Sequence, residues 1–276
     1  MVSSELALPG GIAFGNDDPR VAAGVDIEII EGDAALDGPA SALGPYRLAG
    51  DSLLFEMARV ALYRCDAGRR IIVERIGDTS ESEAARYLIA TALPALLWMR
   101  GEIVLHMAAA IMPGATRAVA IGGVSGVGKS TILAQLVAIG ASVVADDTLC
   151  LRFDGPAMTV SGLAGGYFVA TGAQRGFERV PAEHQAASAQ LAALVMLGPR
   201  TESGGPTFSA LSGVAALEAL LASRHRPRIP TLLGKNRALL PVLARLSETL
   251  PIQRWNRQEG APALSPAEQA QLRRFT

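Results

Sequence analysis

The residues Gly123-Val124-Ser125-Gly126-Val127-Gly128-Lys129-Ser130 satisfy the pattern G-x-x-x-x-G-K-[ST]. Each residue type has a task. The glycines let the backbone curl so that successive N–H groups point at phosphate oxygens. Lys129 brings a positive charge near the terminal phosphates, and the Ser130 hydroxyl can join the coordination shell of Mg²⁺. A helix that begins at this point aims its positive end at the same anion. Lys129 and Lys235 are the only lysines among 25 basic residues, so a lysine here is a rare choice. The pattern predicts a nucleotide-phosphate site with Mg²⁺, contacted by Gly123, Ser125, Gly126, Val127, Gly128, Lys129, Ser130 and Thr131.

Asp146 and Asp147 close an apolar stretch, Ala141–Ala145, one helix downstream of the glycine loop. In sheets of this type ligands gather at the carboxyl ends of strands, so both carboxylates can face the phosphates. One can hold Mg²⁺ directly or through water, and the other can accept a proton from an attacking hydroxyl. Successive strand residues face opposite sides, which keeps the two roles apart. The competing reading is a strand-end turn in which Asp147 merely caps Thr148–Leu151. His106 lies in the apolar stretch Ile103–Met112, where a lone histidine reads first as a packed residue. His184 and His225 carry no spacing that suggests metal binding. Arg224, Arg226 and Arg228 can clamp phosphate or a carboxylate, but a solvated basic loop after a helix is the simpler expectation. Trp98 and Trp255 read as core packing.

The elements that must position these residues follow from periodicity. Residues 1 to about 80 read as short strands, among them Val25–Ile30, Leu53–Tyr63 and Arg70–Ile76, with a hairpin turn at Asp66-Ala67-Gly68. A capping box at Ser80–Glu83 opens a helix to about Met99, kinked at Pro94. From Glu102 the pattern turns α/β. Ile103–Met112 and Ala118–Ile121 are strands joined by the tight turn 113–116, hence antiparallel. A helix runs from Lys129 to about Ile139 and stops at Gly140. Leu191–Leu197 reads as a core strand, Gly213–Ala222 and Arg237–Leu246 as amphipathic helices, and Ser265–Glu268 as a second capping box. Residues 155–175 and 199–213, rich in small residues, are candidate mobile loops or lids. The expected division is a β-rich N-terminal domain, 1–100, ending in a helix, and a nucleotide-binding domain, 101–276.

Half of the 276 residues are apolar and 18% are charged, which excludes a disordered chain. The net charge of −1 offers no basic field for nucleic acid. Tyr87–Met99 is too short for a membrane span, the N-terminus lacks signal-peptide features, and Cys65 and Cys150 form no metal or disulfide pattern. A cytoplasmic protein without nucleic-acid or membrane partners is expected.

The run LHMAAAI…AVAIGGVSGVGKSTILAQLVAIGASVVADD resembles the catalytic domain of the HPr kinase/phosphorylase family, strongly over about Val104 to Leu151. The resemblance implies an α/β fold with a mixed sheet, related to HPr kinase and phosphoenolpyruvate carboxykinase. It implies ATP as donor, Ser130 as a Mg²⁺ ligand, Asp147 as the base that deprotonates an acceptor serine, Asp146 as support for the metal or that base, and His106 as the active-site histidine; Lys129 and the loop amides would then stabilise charge on the transferred phosphoryl group. It departs from HPr kinases proper in having Thr131 where they carry glutamate after the loop. It also lacks their later Glu-x-Arg-Gly segment; Arg175-Gly176-Phe177-Glu178-Arg179 has a different order. The N-terminal β segment and the Leu-His-x-Ala-Ala start look more like HPr-kinase-related proteins that phosphorylate a serine of lasso-peptide precursors. The expectation is therefore an ATP- and Mg²⁺-dependent serine kinase acting on a peptide or small protein. A kinase for a small alcohol and a non-catalytic nucleotide-binding regulator are the alternatives. HPr kinases form hexamers, so the resemblance also leaves room for a homo-oligomer.

Overall fold

Alternating burial builds the N-terminal sheet. In a computed structural model of the chain, which describes residues 2–8, 26–155, 157–163, 165–171, 174–202, 206–260 and 263–276, two compact units form. The first comprises Met1–Val104 together with Arg226–Arg237. Residues 226–237 thus return to the N-terminal unit, although the sequence pattern groups them with the nucleotide-binding part. Its strands are β1 (Val2–Ser4), β2 (Ile27–Glu31), β3 (Ser41–Leu43), β4 (Tyr46–Ala49), β5 (Ser52–Met57), β6 (Ala61–Asp66) and β7 (Arg70–Arg75), ordered β1-β2-β7-β6-β5-β4-β3. In β6 the inward residues Ala61, Tyr63 and Cys65 are buried and those between them less so, the period of two that a half-buried strand requires. Phe55 and Tyr63 lie opposite each other and stack with centroids 5.0 Å apart. The β6–β7 hairpin turns at Ala67 and Gly68, both with positive φ, as the sequence indicates.

Helix α1 (Glu81–Tyr87) starts at Ser80, whose hydroxyl accepts from Glu83 N, the serine half of the expected box. The expected kink takes the form of a π-helical turn, Leu88–Ala92, before α2 (Leu93–Met99). Pro94 has no N–H to offer the Ala90 carbonyl, and Arg226 Nε donates to that oxygen at 3.2 Å. Burial pushes the thiol of Cys65 far up, so this cysteine is an inert core residue.

The second unit comprises Leu105–His225 and Ala238–Thr276. In chain order it contains the end of β8 (Ile103–Leu105), then β9 (Ala108–Ile111), β10 (Ala118–Gly122), α3 (Lys129–Ala138), β11 (Ser142–Ala145), β12 (Leu149–Asp154), β13 (Ala157–Gly162), β14 (Gly166–Thr171), β15 (Gln174–Arg179), β16 (Ser188–Leu197), β17 (Thr207–Leu211), α4 (Gly213–Ala222), all but the first two residues of α5 (Asn236–Thr249), β18 (Ile252–Asn256) and α6 (Pro266–Arg273). The sheet runs β11-β9-β10-β16-β13-β12, with β18 beside the far half of β16 and β17 beside β18. β10 and β16 are parallel, whereas β9 is antiparallel to both its neighbours. This is the mixed α/β architecture expected. The core between sheet and helices includes Val119, Ile121, Ile132, Leu133, Leu136, Val195, Trp255 and Leu272. Trp98 and Trp255 are both fully buried.

Three expectations change. Ile103–Met112 is not one strand: β8 and β9 are separated at His106, whose N–H donates to Ser223 O at 2.7 Å instead of joining a ladder. Residues 155–175 are mostly strand, with β14 and β15 forming a hairpin of their own. Their apolar runs, such as Tyr167-Phe168-Val169, are short and are broken by the glycines and threonines around them, so no strand period shows in the sequence. Residues 207–211 of the second candidate loop pair with β18. Positions 156, 164, 172–173 and 203–205 of the two candidate lids lie outside the described residues. No helix among the described residues is long and apolar enough to cross a membrane.

Candidate active site

The inserted strand β9 brings the chemistry to one end of the sheet. β10 pairs antiparallel with β9 and β9 antiparallel with β11, so β10 and β11 run in the same direction. Their carboxyl ends deliver the glycine loop and the Asp146-Asp147 pair side by side. In the registers Ala108↔Ile121 and Ala109↔Ala145 the start of β9 lies at that same end. His106, two residues before β9, is therefore carried there too.

The loop has the backbone the motif requires: φ is +138° at Gly123, +82° at Gly126 and +108° at Gly128, a region that favours glycine. Lys129 begins α3 on its core-facing stripe with Ile132, Leu133 and Leu136. Its stem is buried, and its ammonium donates to Gly123 O at 3.0 Å and Val124 O at 3.2 Å, which holds the charge inside the loop. Gly123 has no room for more: a Cβ would stand 2.9 Å from Val127 Cγ1 and 3.1 Å from Leu197 O. Strain of this kind costs about 1–3 kcal/mol. Gly123→Ala is therefore expected to weaken nucleotide binding by about 5- to 150-fold in titration calorimetry; unchanged affinity would show that the loop absorbs the methyl group.

Ser130 Oγ donates to Asp146 Oδ1 at 3.0 Å, and Phe168 N donates to Asp146 Oδ2 at 2.9 Å. A hydroxyl at a helix start and a carboxylate at a strand end, both hard oxygen ligands, suit Mg²⁺. Asp147 has φ +65°, and Thr148 N donates to Asp146 O at 2.7 Å around it. That is a γ-turn of the rarer hand, which aspartate tolerates better than most residues. The turn directs the Asp147 carboxylate at two imidazoles: His106 Nδ1 lies 3.1 Å from Oδ1 and His225 Nε2 lies 3.3 Å from Oδ2. The carboxylate of Asp147 is thus engaged by histidines and not by the Thr148–Leu151 segment. Burial pushes its pKa up, but the hydrogen bonds and positive charge of His106 and His225 outweigh that and hold it well below the usual carboxylate range.

A cavity of about 110 Å³ unites the two groups, lined by Ser125, Gly126, Gly128, Lys129, Ser130 and Thr131 on one side and His106, Asp147 and Phe168 on the other. Gly123 and Val127 instead face the packing beneath the loop; the Val127 side chain joins the core. A larger cavity of about 740 Å³ lies in the first unit, but two of the three guanidiniums lining it, those of Arg70 and Arg100, are already engaged. Arg70 pairs with Glu28 at 2.7 Å, and Arg100 donates to the Asp26 and Gly68 carbonyls. Arg224 donates to Leu221 O at the end of α4, while Arg226 and Arg228 are exposed in the first unit.

Two residues at the site escape the sequence. Phe168 sits in a segment with the composition of a loop. His225 is the more important. It is 2% exposed, and it reaches Asp147 because the pairing Leu105↔Arg224 and the His106–Ser223 bond draw the end of α4 alongside β8. The signal in the sequence is faint: it is one of three histidines, next to a helix end.

No family model matches the chain, and no curated protein matches it. Among solved structures the chain is similar to the Hpr(Ser) kinase/phosphatase from Coxiella burnetii, with a TM-score of 0.39 and 15% identity, over 62% of this chain and 88% of that one.

Proposed function

We propose that the protein is an ATP- and Mg²⁺-dependent kinase that phosphorylates a serine hydroxyl in a peptide or small protein. One observation carries this: the phosphate loop and the histidine-bound Asp147 line the same cavity. The loop amides and Lys129 hold the terminal phosphates and stabilise the charge spread over the phosphoryl group in transfer. Ser130 and Asp146 would hold Mg²⁺, which when bound neutralises charge on the phosphates. The acceptor Oγ forms a bond to the γ-phosphorus as the bond to the β,γ-bridging oxygen breaks, and the hydroxyl proton passes to the Asp147 carboxylate. The proton leaves late in a loose transition state, so a carboxylate of low basicity suffices. His106 and His225 fix the orientation of that carboxylate. The sequence resemblance over Val104–Leu151 favours a peptide or protein acceptor, and the N-terminal β segment with the Leu-His-x-Ala-Ala start is what puts lasso-peptide precursors among the candidates.

The test is transfer from γ-labelled ATP to a panel of serine-bearing peptides, HPr and small alcohols, with a no-acceptor control. Label on a peptide serine is the expected result. Ser130→Ala is expected to raise the Mg²⁺ concentration needed for half-maximal transfer by about tenfold or more, the effect of losing one oxygen ligand. Label on an alcohol alone would reassign the acceptor. Tight ATP binding without any transfer would leave a nucleotide-binding regulator.

A further inference from the structure

We propose that His106, Asp147 and His225 form a second divalent-cation site, selective for imidazole-favouring ions such as Zn²⁺ or Co²⁺, whose occupancy switches phosphoryl transfer off. The binding half stands on geometry alone; the switching half rests on the role of Asp147 proposed above. One ligand atom from each residue lies within 4.8 Å of the other two. A tetrahedral ion with ligands at about 2.0–2.2 Å needs neighbouring ligand atoms about 3.4 Å apart. The two nitrogen–oxygen contacts, 3.1 and 3.3 Å, run to the two different oxygens of Asp147. With one ligand atom from each residue and every separation within 4.8 Å, the three must close by at most about 1.4 Å to grip one ion, a movement that side-chain rotation supplies.

The three ligands come from three separate parts of the second unit and are locked by its backbone. His106 is tied through its own N–H to Ser223, two residues before His225. Asp147 is held out by its γ-turn. The imidazole planes are inclined at 61° with centroids 5.4 Å apart, so the two rings approach the carboxylate from different directions. His225 closes the inner side with a side chain 3% exposed. His106 and Asp147 are 26% and 33% exposed toward the cavity, which leaves a fourth position for water. Three protein ligands and one open position is the arrangement of accessible zinc sites.

Ligand chemistry separates this site from the one at Ser130 and Asp146. That pair offers only oxygen and suits Mg²⁺; two imidazoles and a carboxylate favour zinc-like ions over Mg²⁺. An ion on Asp147 occupies the lone pairs that would take the acceptor's proton. Transfer then stops although ATP and Mg²⁺ still bind.

The experiment titrates untagged protein with Co²⁺ in the absence of nucleotide, following visible d–d absorption, and then displaces it with Zn²⁺ against a chromophoric chelator. One equivalent is expected to bind. His225→Gln and His106→Gln should each weaken it by at least about 100-fold, the upper end of what loss of a mere supporting hydrogen bond costs. His184→Gln and Ser130→Ala should not. Circular dichroism checks that the variants fold, and His106→Gln, at the cavity edge, keeps the test open if the buried His225 variant does not. Absence of a stoichiometric site, or binding unchanged in a folded His106→Gln, overturns the proposal. Zn²⁺ bound at one equivalent with transfer unaffected overturns the switch. Absence of transfer in metal-free protein, with Co²⁺ bound as expected, counts instead against the kinase reading.

Discussion

Asp147→Asn is expected to lower phosphoryl transfer by about 10²–10⁴-fold, the usual contribution of a positioned general base, while leaving nucleotide affinity within about threefold. Asparagine is the right substitution because it also tolerates a left-handed backbone, so the γ-turn at φ +65° survives. What disappears is the negative charge between His106 and His225 and the lone pair that takes the proton. Lys129, Ser130 and Asp146, which serve the nucleotide, are untouched. Because the wild-type carboxyl is held well below its ordinary value, it stays ionised throughout the neutral and mildly acid range. Loss of rate between pH 7 and 5 therefore belongs to other groups. Single-turnover transfer from labelled ATP, with calorimetry for ATP binding, provides the check. A variant as fast as wild type would remove Asp147 from the chemistry.

The largest expected effect on stability lies at the other end of the chain. Arg257 Nε and Glu268 Oε1 pair at 2.9 Å with side chains only 6% and 4% exposed. The other oxygen of Glu268 accepts from Ser265 N and Oγ, both at 2.8 Å, completing the capping box that starts α6. Glu268→Ala would strand a buried guanidinium, a change that costs about 3–5 kcal/mol. Urea denaturation of both proteins measures it, and a difference below about 1 kcal/mol would mean that water or another carboxylate takes over. Burial raises the pKa of Glu268, but Arg257 and Ser265 more than reverse this, so the folded value lies below the unfolded one. The pair's contribution is thus complete above the unfolded value of about 4.3 and is lost as pH falls below it. Wild type and Glu268→Ala should converge in stability under acid conditions.

The features legible in the sequence are those written within a few consecutive residues. Gly123–Ser130, the turn 113–116 that dictates antiparallel pairing, and the box Ser265–Glu268 each specify their local geometry without reference to the rest of the chain. What stays hidden depends on distant partners. The break at His106 exists because Ser223 O takes its N–H. The role open to His225 depends on where α4 ends relative to β8, which no periodicity encodes. β14 and β15 pair with each other, and the short apolar run Tyr167-Phe168-Val169 is flanked by glycine and threonine, so no strand period marks it in the sequence.

The place of β10 in the sheet has a kinetic consequence. Its parallel partner is β16, Ile121 opposite Val195, and β16 in turn pairs with β18, Leu194 opposite Ile252. Contacts so distant in sequence pay their loop-closure entropy before they return any stability, which slows folding. During synthesis the glycine loop leaves the ribosome long before the strand that must flank it. The phosphate site is thus among the last parts of its unit to mature, and until β16 and β18 arrive the apolar strands β9 and β10 form an unfinished edge open to aggregation or to a chaperone.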